Sequence, residues 1–241
     1  MTRVHVAAAL ELGQRFTLPA ADAHHLGVVL RLAAGTVVEA IDARGQRFSA
    51  QVTSGTPFAI EVLSALGPAG TDPAAQLEIW LPLLKGGRSD DLIRQLTELG
   101  ASRIVPWTGR RSVARADGAK ASQKLARWRS IAREACQQCG RTAPPEILEA
   151  SGLPEVGPGV FFYEAGGPSA RDARDALSAA STASPLRVLT GPEGGLDPAE
   201  VRDLEALGWR AAHLGPRILR ADTAVLCAAT LALHALGEAG F

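Results

Sequence analysis

The pattern of apolar and polar positions divides the chain into two parts of different character. The first part, about 70 residues, contains short runs in which apolar and polar residues partly alternate between turns rich in Gly, Pro and Asp, a pattern typical of β-strands. One segment after Pro19 has helical spacing instead, with Asp22 as its candidate N-cap and with Leu26, Val29 and Leu30 on one face. The first part is therefore predicted to be a small β barrel with one helix.

From Leu77 onward, buried strands alternate with longer helices, which indicates a mostly parallel α/β sheet. Strands are predicted at residues 77–81, 103–107, 159–163, 187–189 and 211–214. Helices are predicted at residues 89–99, 119–139 and 170–180, with two more starting near residues 197 and 222. The first of these helices has Ser89 and Asp90 as candidate caps and Gly100 as its stop.

A segment rich in Gly and Pro, residues 67–73, separates the two parts and is typical of a linker. We therefore predict an α/β protein of two domains, with a β barrel at residues 1–72 and an α/β domain at residues 73–241. The longest apolar run, near residues 224–233, is too short to cross a bilayer, and the N-terminus lacks the layout of a signal peptide. Together with only three cysteines, these features predict a soluble protein of the reducing cytoplasm.

Charge is balanced overall but uneven along the chain. Lys plus Arg and Asp plus Glu each number 25, so the net charge is uninformative about partners. Residues 101–141, however, hold ten basic side chains against Asp117 and Glu134. Such a basic block suggests a polyanion partner, and the alternative is a solvated helix face. Cys136 and Cys139 form a lone C-x-x-C with no second pair, so no metal site is predicted.

The first candidate binding loop follows the strand at residues 187–189 and has the sequence T-G-P-E-G-G-L-D-P-A-E. Asp197, Pro198 and Glu200 predict a helix start with a capping box, which leaves residues 191–195 as a loop whose glycines allow the backbone to approach a ligand closely. The glycine spacing matches neither dinucleotide nor nucleoside-triphosphate motifs. The alternative is a tight turn without a ligand.

The second candidate loop, L-G-P-R-I-L-R-A-D-T-A, follows the strand at residues 211–214. It sets Arg217 and Arg220 among apolar residues, and we expect these arginines to be buried and to meet an anion or a carboxylate. An ion pair with Glu193 is one alternative, and contact with an RNA phosphate or a negatively charged base is the other. His213, at the strand end, is expected to be a core or rim histidine.

These two loops resemble the cofactor-binding motifs of the SPOUT methyltransferases and, more narrowly, those of the RsmE family. Further matches are H-H-L-G-V-V-L-R at 24–31, Q-L-T-E-L-G at 95–100, R-R-S-V at 110–113 and E-A-C-Q-Q-C-G-R at 134–141. The chain departs from the family pattern at Gln95, where Lys is usual, and at Arg110, where Glu is usual.

The resemblance implies a PUA-like β barrel followed by an α/β trefoil-knot domain, S-adenosylmethionine as cofactor, and a homodimer. It also implies methylation of N3 of a uridine in 16S ribosomal RNA, within the small ribosomal subunit. The alternatives are a SPOUT enzyme with another target, a ribose 2′-hydroxyl or a guanine, and a noncatalytic RNA-binding factor of ribosome assembly.

The resemblance also implies site residues. The expected cofactor-binding residues are Tyr163, Glu164, Thr190, Gly191, Pro192, Glu193, Gly194, Gly195, Leu214, Gly215, Ile218, Leu219, Thr223 and Ala224. The expected RNA-binding residues are Arg3, Arg31, Arg110, Arg111, Gln138, Arg141 and Arg217. For catalysis, Glu193 is the candidate proton acceptor, or else it pins the glycine loop, and Arg220 is the candidate cation that stabilises the uracil anion.

Overall fold

The structure is a computed structural model that describes residues 2–53, 57–68, 72–114, 119–163 and 170–239. The chain divides into two compact units, of which one contains Met1–Asp72 together with Cys136–Ala143. The other contains Pro73–Ala135 and Pro144–Phe241. The division into two domains at residues 72 and 73 stays a prediction, and the structure adds that a short segment near the middle of the chain belongs to the first unit.

The first unit is built on a five-stranded sheet in the order β1-β3-β4-β5-β2. Its strands are β1 (Arg3–His5), β2 (Arg15–Thr17), β3 (Val37–Ile41), β4 (Gln46–Val52) and β5 (Ala59–Pro68). β1 runs parallel to β3, and the other neighbours are antiparallel. Two register shifts between β4 and β5 bend the strands, and the sheet curls without closing, because β1 and β2 each have one partner among the described strands. The barrel expected from the sequence is thus an open, curled sheet.

The helix of this unit, α1 (Ala20–His24), differs in detail from the prediction. Pro19 is its N-cap and Asp22 lies in the first turn, so the predicted cap is wrong. After α1 the backbone forms a π-helical turn over His25–Val29. Because the π turn is wider than an α turn, the expected apolar face does not form: Leu26 is buried, whereas Val29 and Leu30 are exposed.

The second unit contains a seven-stranded sheet in the order β10-β12-β9-β11-β6-β7-β8, and all of its pairings are parallel. Its strands are β6 (Leu77–Pro82), β7 (Arg103–Trp107), β8 (Glu146–Ile147), β9 (Val160–Phe162), β10 (Arg171–Asp172), β11 (Leu186–Thr190) and β12 (Arg210–His213). The predicted parallel α/β sheet is confirmed. The two strands missed by the prediction, β8 and β10, are two residues long and too short to show a pattern.

The helices of the second part of the chain are α2 (Arg88–Leu99), α3 (Ala119–Cys139), α4 (Ala173–Leu177), α5 (Pro198–Ala206) and α6 (Ala221–Ala235). Gly100 ends α2 in the left-handed conformation, as expected. The predicted caps of α2 are wrong: Gly87 is the N-cap, and Ser89 Oγ accepts the backbone N–H of Leu84 instead, at 3.1 Å. α5 has the predicted capping box of Asp197 and Glu200.

Successive residues along the central strands pack on opposite faces of the parallel sheet. Ile79 and Val188 belong to one apolar cluster, whereas their neighbours Trp80 and Leu189 belong to another. α6 covers the first face and contacts β6 and β11. A parallel sheet buried on both sides leaves its strand ends as the positions open to a ligand. No helix among the described residues is both long and apolar enough to span a membrane.

Candidate functional site

The two candidate loops leave the sheet at the same edge, on either side of a third strand. β9 lies between β12 and β11, and Phe162 pairs with both Ala212 and Thr190. Because the three strands are parallel, the segments that follow them start side by side. Tyr163 begins the segment after β9, and residues 164–169, including the expected cofactor residue Glu164, lie outside the described residues.

A cavity of about 510 Å³ lies at these strand ends. Its walls include the expected residues Tyr163, Gly191, Pro192, Glu193, Gly195, Leu214, Gly215, Arg217, Ile218, Leu219, Arg220 and Ala224. Thr190, Gly194 and Thr223 were expected at the site but are not part of the wall. The structure therefore brings together residues from both loops and from the start of α6 around one space.

The first candidate loop, residues 191–195, is called the glycine loop below, and it is folded tightly on itself. A Cβ atom at Gly191 would lie 3.2 Å from the backbone nitrogen of Leu196, so a larger residue has little room there. Gly195 has a φ of +70° and donates its N–H to Pro192 O at 2.8 Å, which closes a turn. Thr190, at the end of β11, is buried, and its Oγ1 has no hydrogen-bond partner among the described residues.

Gly194 faces away from the cavity. A Cβ atom at this position would lie 2.8 Å from the backbone oxygen of Arg111 and 2.9 Å from its Cβ. The glycine is therefore required for the close packing of the glycine loop against the loop at residues 108–114, which follows β7.

Glu193 is held by the loop that follows β6. Its Oε1 accepts the backbone N–H of Lys85 at 3.2 Å and lies 3.8 Å from Nη1 of Arg88. The side chain of Glu193 keeps 27% of its surface exposed. The ion pair between Glu193 and Arg220 that the sequence left open is not formed, and Arg88 takes the place of Arg220.

The two arginines of the second loop are exposed, which corrects the expectation that they are buried. The loop projects from the sheet edge, so that even Ile218 between them is 84% exposed, and Arg220 is the N-cap residue of α6. Neither Arg217 nor Arg220 has an ion pair within the described part of the chain. Among the described residues, the cavity is lined by three arginines, Arg88, Arg217 and Arg220, and by one carboxylate, that of Glu193, which favours a negatively charged ligand at its mouth.

Three basic side chains of α3 make contacts within the protein. Lys124 Nζ lies 5.0 Å from the ring centre of Trp128. Arg127 Nε lies 2.8 Å from Asp90, and Arg129 donates to the backbone oxygen of Ile147 at 3.1 Å. Arg110 and Arg111, on the loop after β7, are exposed. Arg127 and Arg129 nevertheless stay exposed, so α3 still presents positive charge at the surface.

The remaining expected RNA contacts lie in the first unit. Arg3 Nε pairs with Glu39 at 3.2 Å. Arg141 is buried, with 5% of its surface exposed, and lies 3.5 Å from Asp72, so its charge is used inside the unit. Arg31 and Gln138 are exposed. Arg31 has a φ of +52°, a left-handed conformation that is uncommon for a residue other than glycine.

Four residues of the cavity wall were missed by the sequence analysis, namely Arg88, Phe162, His213 and Ala221. Arg88 follows β6, and β6 pairs directly with β11, so the two following loops share an edge. The position of Arg88 at the cavity follows from the order of the strands in the sheet, which the local sequence does not reveal. His213 was expected at a core or rim position, and its Nδ1 accepts the backbone N–H of Gly215 at 3.3 Å within the second loop.

The chain is similar to known RNA methyltransferases over most of its length. Residues 71–233 match a family described as an RNA methyltransferase domain. The ribosomal RNA small subunit methyltransferase E of Bacillus subtilis is 30% identical over 234 residues, which cover 91% of this chain and 90% of that protein. The enzyme of the same name from Mycobacterium bovis is 35% identical over 161 residues, covering 64% of this chain and 60% of that protein.

A solved structure of this family has the same fold as this chain. The ribosomal RNA small subunit methyltransferase E of Neisseria gonorrhoeae, bound to S-adenosylmethionine, matches with a TM-score of 0.82 and 28% identity over 97% of both chains. This chain, with its strand-end cavity, is thus similar to these enzymes in both sequence and fold. The chain belongs to the ribosomal RNA small subunit methyltransferase E family.

Proposed function

We propose that this protein transfers a methyl group from S-adenosylmethionine to N3 of a uridine in 16S ribosomal RNA. The observation that carries the proposal is the cavity of about 510 Å³ at the ends of β9, β11 and β12, walled by both glycine-containing loops and lined by three arginines. Family membership and the cofactor bound to the Neisseria gonorrhoeae relative support the reaction class. The uridine N3 target rests on the resemblance of the motifs.

The residues present fit this cofactor. The cavity lies within the range of roughly 300–1,000 Å³ that is usual for small-molecule sites. Gly191 and Gly195 present backbone rather than side chains to it. We infer that the loop backbone at residues 190–195 and 214–219 holds the cofactor, with Tyr163 and Ala224 as further walls. When bound, S-adenosylmethionine supplies a methyl group that is already electrophilic on a sulfonium.

The protein's own task is then to position the base and to remove its N3 proton. Glu193 is the acidic residue of the cavity wall in the part of the chain that the structure describes, and we propose that its carboxylate accepts this proton. Arg220 lines the same cavity and is exposed, and we propose that its charge stabilises the uracil anion as it forms. Arg88 Nη1 lies 3.8 Å from Oε1 of the same carboxylate.

We propose that RNA reaches the cavity from its positively charged mouth. Arg217 lines the mouth, and Arg110 and Arg111 are exposed on the loop after β7. Phosphate contacts of this kind make affinity depend on salt without reading the sequence. The uridine must be unpaired or flipped out of a helix before its N3 is accessible. Arg31 and Gln138, exposed on the first unit, are proposed as further RNA contacts.

The finer features implied by the family are part of the same proposal: a PUA-like first domain, a trefoil knot in the second, a homodimer, and a cytoplasmic enzyme acting on the small ribosomal subunit. The path of the chain supports the knot. α6 follows β12 but contacts β11 and β6, although β9 lies between β12 and β11 in the sheet. The C-terminal segment therefore crosses the strand that separates the two loops.

The reaction is tested by mass analysis of nucleosides from 16S ribosomal RNA incubated with the protein and methyl-labelled S-adenosylmethionine. We expect label in 3-methyluridine. Label in a 2′-O-methylated nucleoside or in methylguanosine would instead support another SPOUT target, and RNA binding without label would support a noncatalytic factor.

Two matched substitutions control this assay. In Gly191→Val, the Cβ atom would lie 3.2 Å from the backbone nitrogen of Leu196, so the side chain has little room. We expect this variant to lose cofactor binding and methylation. Gly152→Val has no atom within 4 Å of its Cβ and is expected to behave like the wild type. Equal loss with both variants would count against the assignment of the cavity to the cofactor.

A further inference from the structure

The exposed basic loop at residues 108–114 is fastened to the start of α5, next to the glycine loop. The backbone N–H of Arg110 donates to Glu200 Oε1 at 2.7 Å. A guanidinium nitrogen of Arg111 lies 3.5 Å from the carboxylate of Asp197, the N-cap of α5. On the opposite side, the backbone of Arg111 packs against Gly194 so closely that a Cβ atom there would clash. The two loops therefore share one packed contact, although Arg111 and Gly194 are 83 positions apart in the chain.

Glu200 is the centre of this contact. It is buried, with 4% of its surface exposed, and each of its carboxylate oxygens accepts one backbone N–H: Oε1 from Arg110 and Oε2 from Asp197, at 2.7 and 2.8 Å. The bond to Asp197 completes the capping box of α5. The bond to Arg110 does nothing for the helix and reaches a loop 90 positions away in sequence. Helix capping therefore accounts for one of the two hydrogen bonds that this side chain accepts, and not for the other.

Gly109 shows how closely the loop is fitted to this carboxylate. A Cβ atom at Gly109 would lie 2.6 Å from Glu200 Oε1 and 2.8 Å from the ring of Trp107. A side chain at this position would push the loop off the carboxylate. Ser112 Oγ accepts the N–H of Gly109 at 2.8 Å, which fixes the turn from the other side. These contacts tie the position of the backbone that presents Arg110 and Arg111 to the position of Glu200.

We propose that Glu200 is a positioning residue that couples RNA binding at Arg110 and Arg111 to cofactor binding at the glycine loop. This inference rests on the proposed function. A buried carboxylate that accepts two N–H groups holds both strongly, since hydrogen bonds to a charged acceptor are the stronger kind. Fixing the basic loop on RNA therefore fixes the start of α5 and the glycine loop that precedes it. By linkage, a ligand on either loop then raises affinity for the other ligand by the same factor.

The test measures the dissociation constant of S-adenosylhomocysteine by calorimetry, with the protein free and saturated with 16S ribosomal RNA. The homocysteine form prevents turnover during the measurement. For the wild type we expect RNA to tighten binding by a factor on the order of 5 to 150. In Glu200→Gln, one oxygen remains for two N–H donors, so the capping bond and the bond to Arg110 cannot both form, and we expect the factor to fall towards 1.

Asp203→Asn is the matched control, because Asp203 is exposed on the same helix, and it should keep the wild-type factor. The reciprocal measurement, RNA affinity with and without S-adenosylhomocysteine, must change by the same factor in each protein. An unchanged factor in Glu200→Gln, or a factor of 1 in the wild type, would overturn the coupling. Absence of S-adenosylhomocysteine binding to the free wild type would instead count against the proposed function itself.

A second variant reaches the same contact from the other loop. Gly194→Ala leaves Glu200 intact but places a methyl group 2.8 Å from the backbone oxygen of Arg111, so the basic loop and the glycine loop must move apart. We expect a reduced coupling factor here too. A wild-type factor in Gly194→Ala would contradict the inference even if Glu200→Gln failed to fold.

Discussion

The carboxylate of Glu193 lies against Arg88, with 3.8 Å between Oε1 and Nη1, and not against Arg220. Arg88 belongs to α2, which follows β6, whereas Glu193 follows the neighbouring strand β11. The pairing leaves the charge of Arg220 free of any acidic partner in the described part of the chain. The candidate proton acceptor and the candidate anion-stabilising cation thus line one cavity without neutralising each other.

Glu193→Gln tests the proposed proton acceptor. The amide keeps an oxygen that can accept the N–H of Lys85, so the loop is expected to stay in place, with the dissociation constant of S-adenosylmethionine changed by less than about fivefold. Loss of the proton acceptor is expected to lower kcat by about 100-fold or more. Calorimetry and single-turnover methylation of 16S ribosomal RNA separate these two effects. Weakened cofactor binding with nearly normal kcat would instead make Glu193 a support of the glycine loop.

Arg220→Ala tests the proposed stabilisation of the uracil anion. Removing one preorganised charge from a site of this kind lowers kcat by about 100-fold or more. Arg202→Ala is the control, because Arg202 is exposed on α5 and is not part of the cavity wall. If Arg220 only contacts a phosphate, kcat will stay normal, and the slope of RNA affinity against salt concentration will fall by about 1.

Local signals in the sequence were sufficient to predict much of the candidate site. The capping box of Asp197 and Glu200 depends on residues three positions apart, and the strand that ends at Thr190 is followed directly by its glycine loop. Parallel strands present their following loops at one edge, so the proximity of the two candidate loops also followed from the predicted fold class.

What the sequence did not show depends on contacts between distant segments. Arg88 lines the cavity because β6 pairs with β11, and a strand order of this kind leaves no local pattern. The exposure of Arg217 and Arg220 depends on how far their loop projects beyond the sheet. Apolar neighbours such as Ile218 suggested burial, but Ile218 itself is 84% exposed. The hydrogen bond from the backbone N–H of Arg110 to Glu200 could not be predicted for the same reason, since 90 positions separate the two residues.

Cys136 is expected to be unreactive towards alkylating reagents. Burial raises the pKa of its thiol to about 12, so at pH 8 only about one molecule in 10,000 carries the reactive thiolate. Alkylation with iodoacetamide at pH 8, followed by peptide mass mapping, is expected to modify Cys136 at least about 100-fold more slowly in the folded protein than in urea. Cys227, which is partly exposed, is the internal comparison. Equal rates for the two cysteines would show that the segment around Cys136 opens readily.

Asp42 is expected to make the first unit sensitive to acid. Burial raises the pKa of its carboxyl group, but hydrogen bonds from the backbone N–H groups of Gln46, Leu10 and Arg44 and from the Arg44 side chain outweigh this, and the net pKa lies below the ordinary value of 3.8. A carboxyl group whose pKa is lower in the folded than in the unfolded state stabilises the fold above the unfolded pKa. This stabilisation is lost as the pH falls through the folded pKa.

Asp42→Asn removes the charge and leaves one acceptor oxygen for these donors. At pH 7 we expect the free energy of unfolding to fall by about 2 kcal/mol, as is usual when a buried group with charged hydrogen bonds is lost. The difference from the wild type should shrink as the pH falls from about 3.8, the ordinary pKa of the group, through its lower pKa in the folded protein, below which the wild-type carboxyl group is also protonated. Urea unfolding followed by circular dichroism between pH 7 and pH 2.5 measures both effects, and amide exchange at Arg44 and Gln46 locates them.

Glu61→Gln, on the exposed side of β5, is the control and should show neither effect. A loss of stability that is the same at pH 7 and pH 2.5 would mean that the shape of the side chain matters at this position and its charge does not.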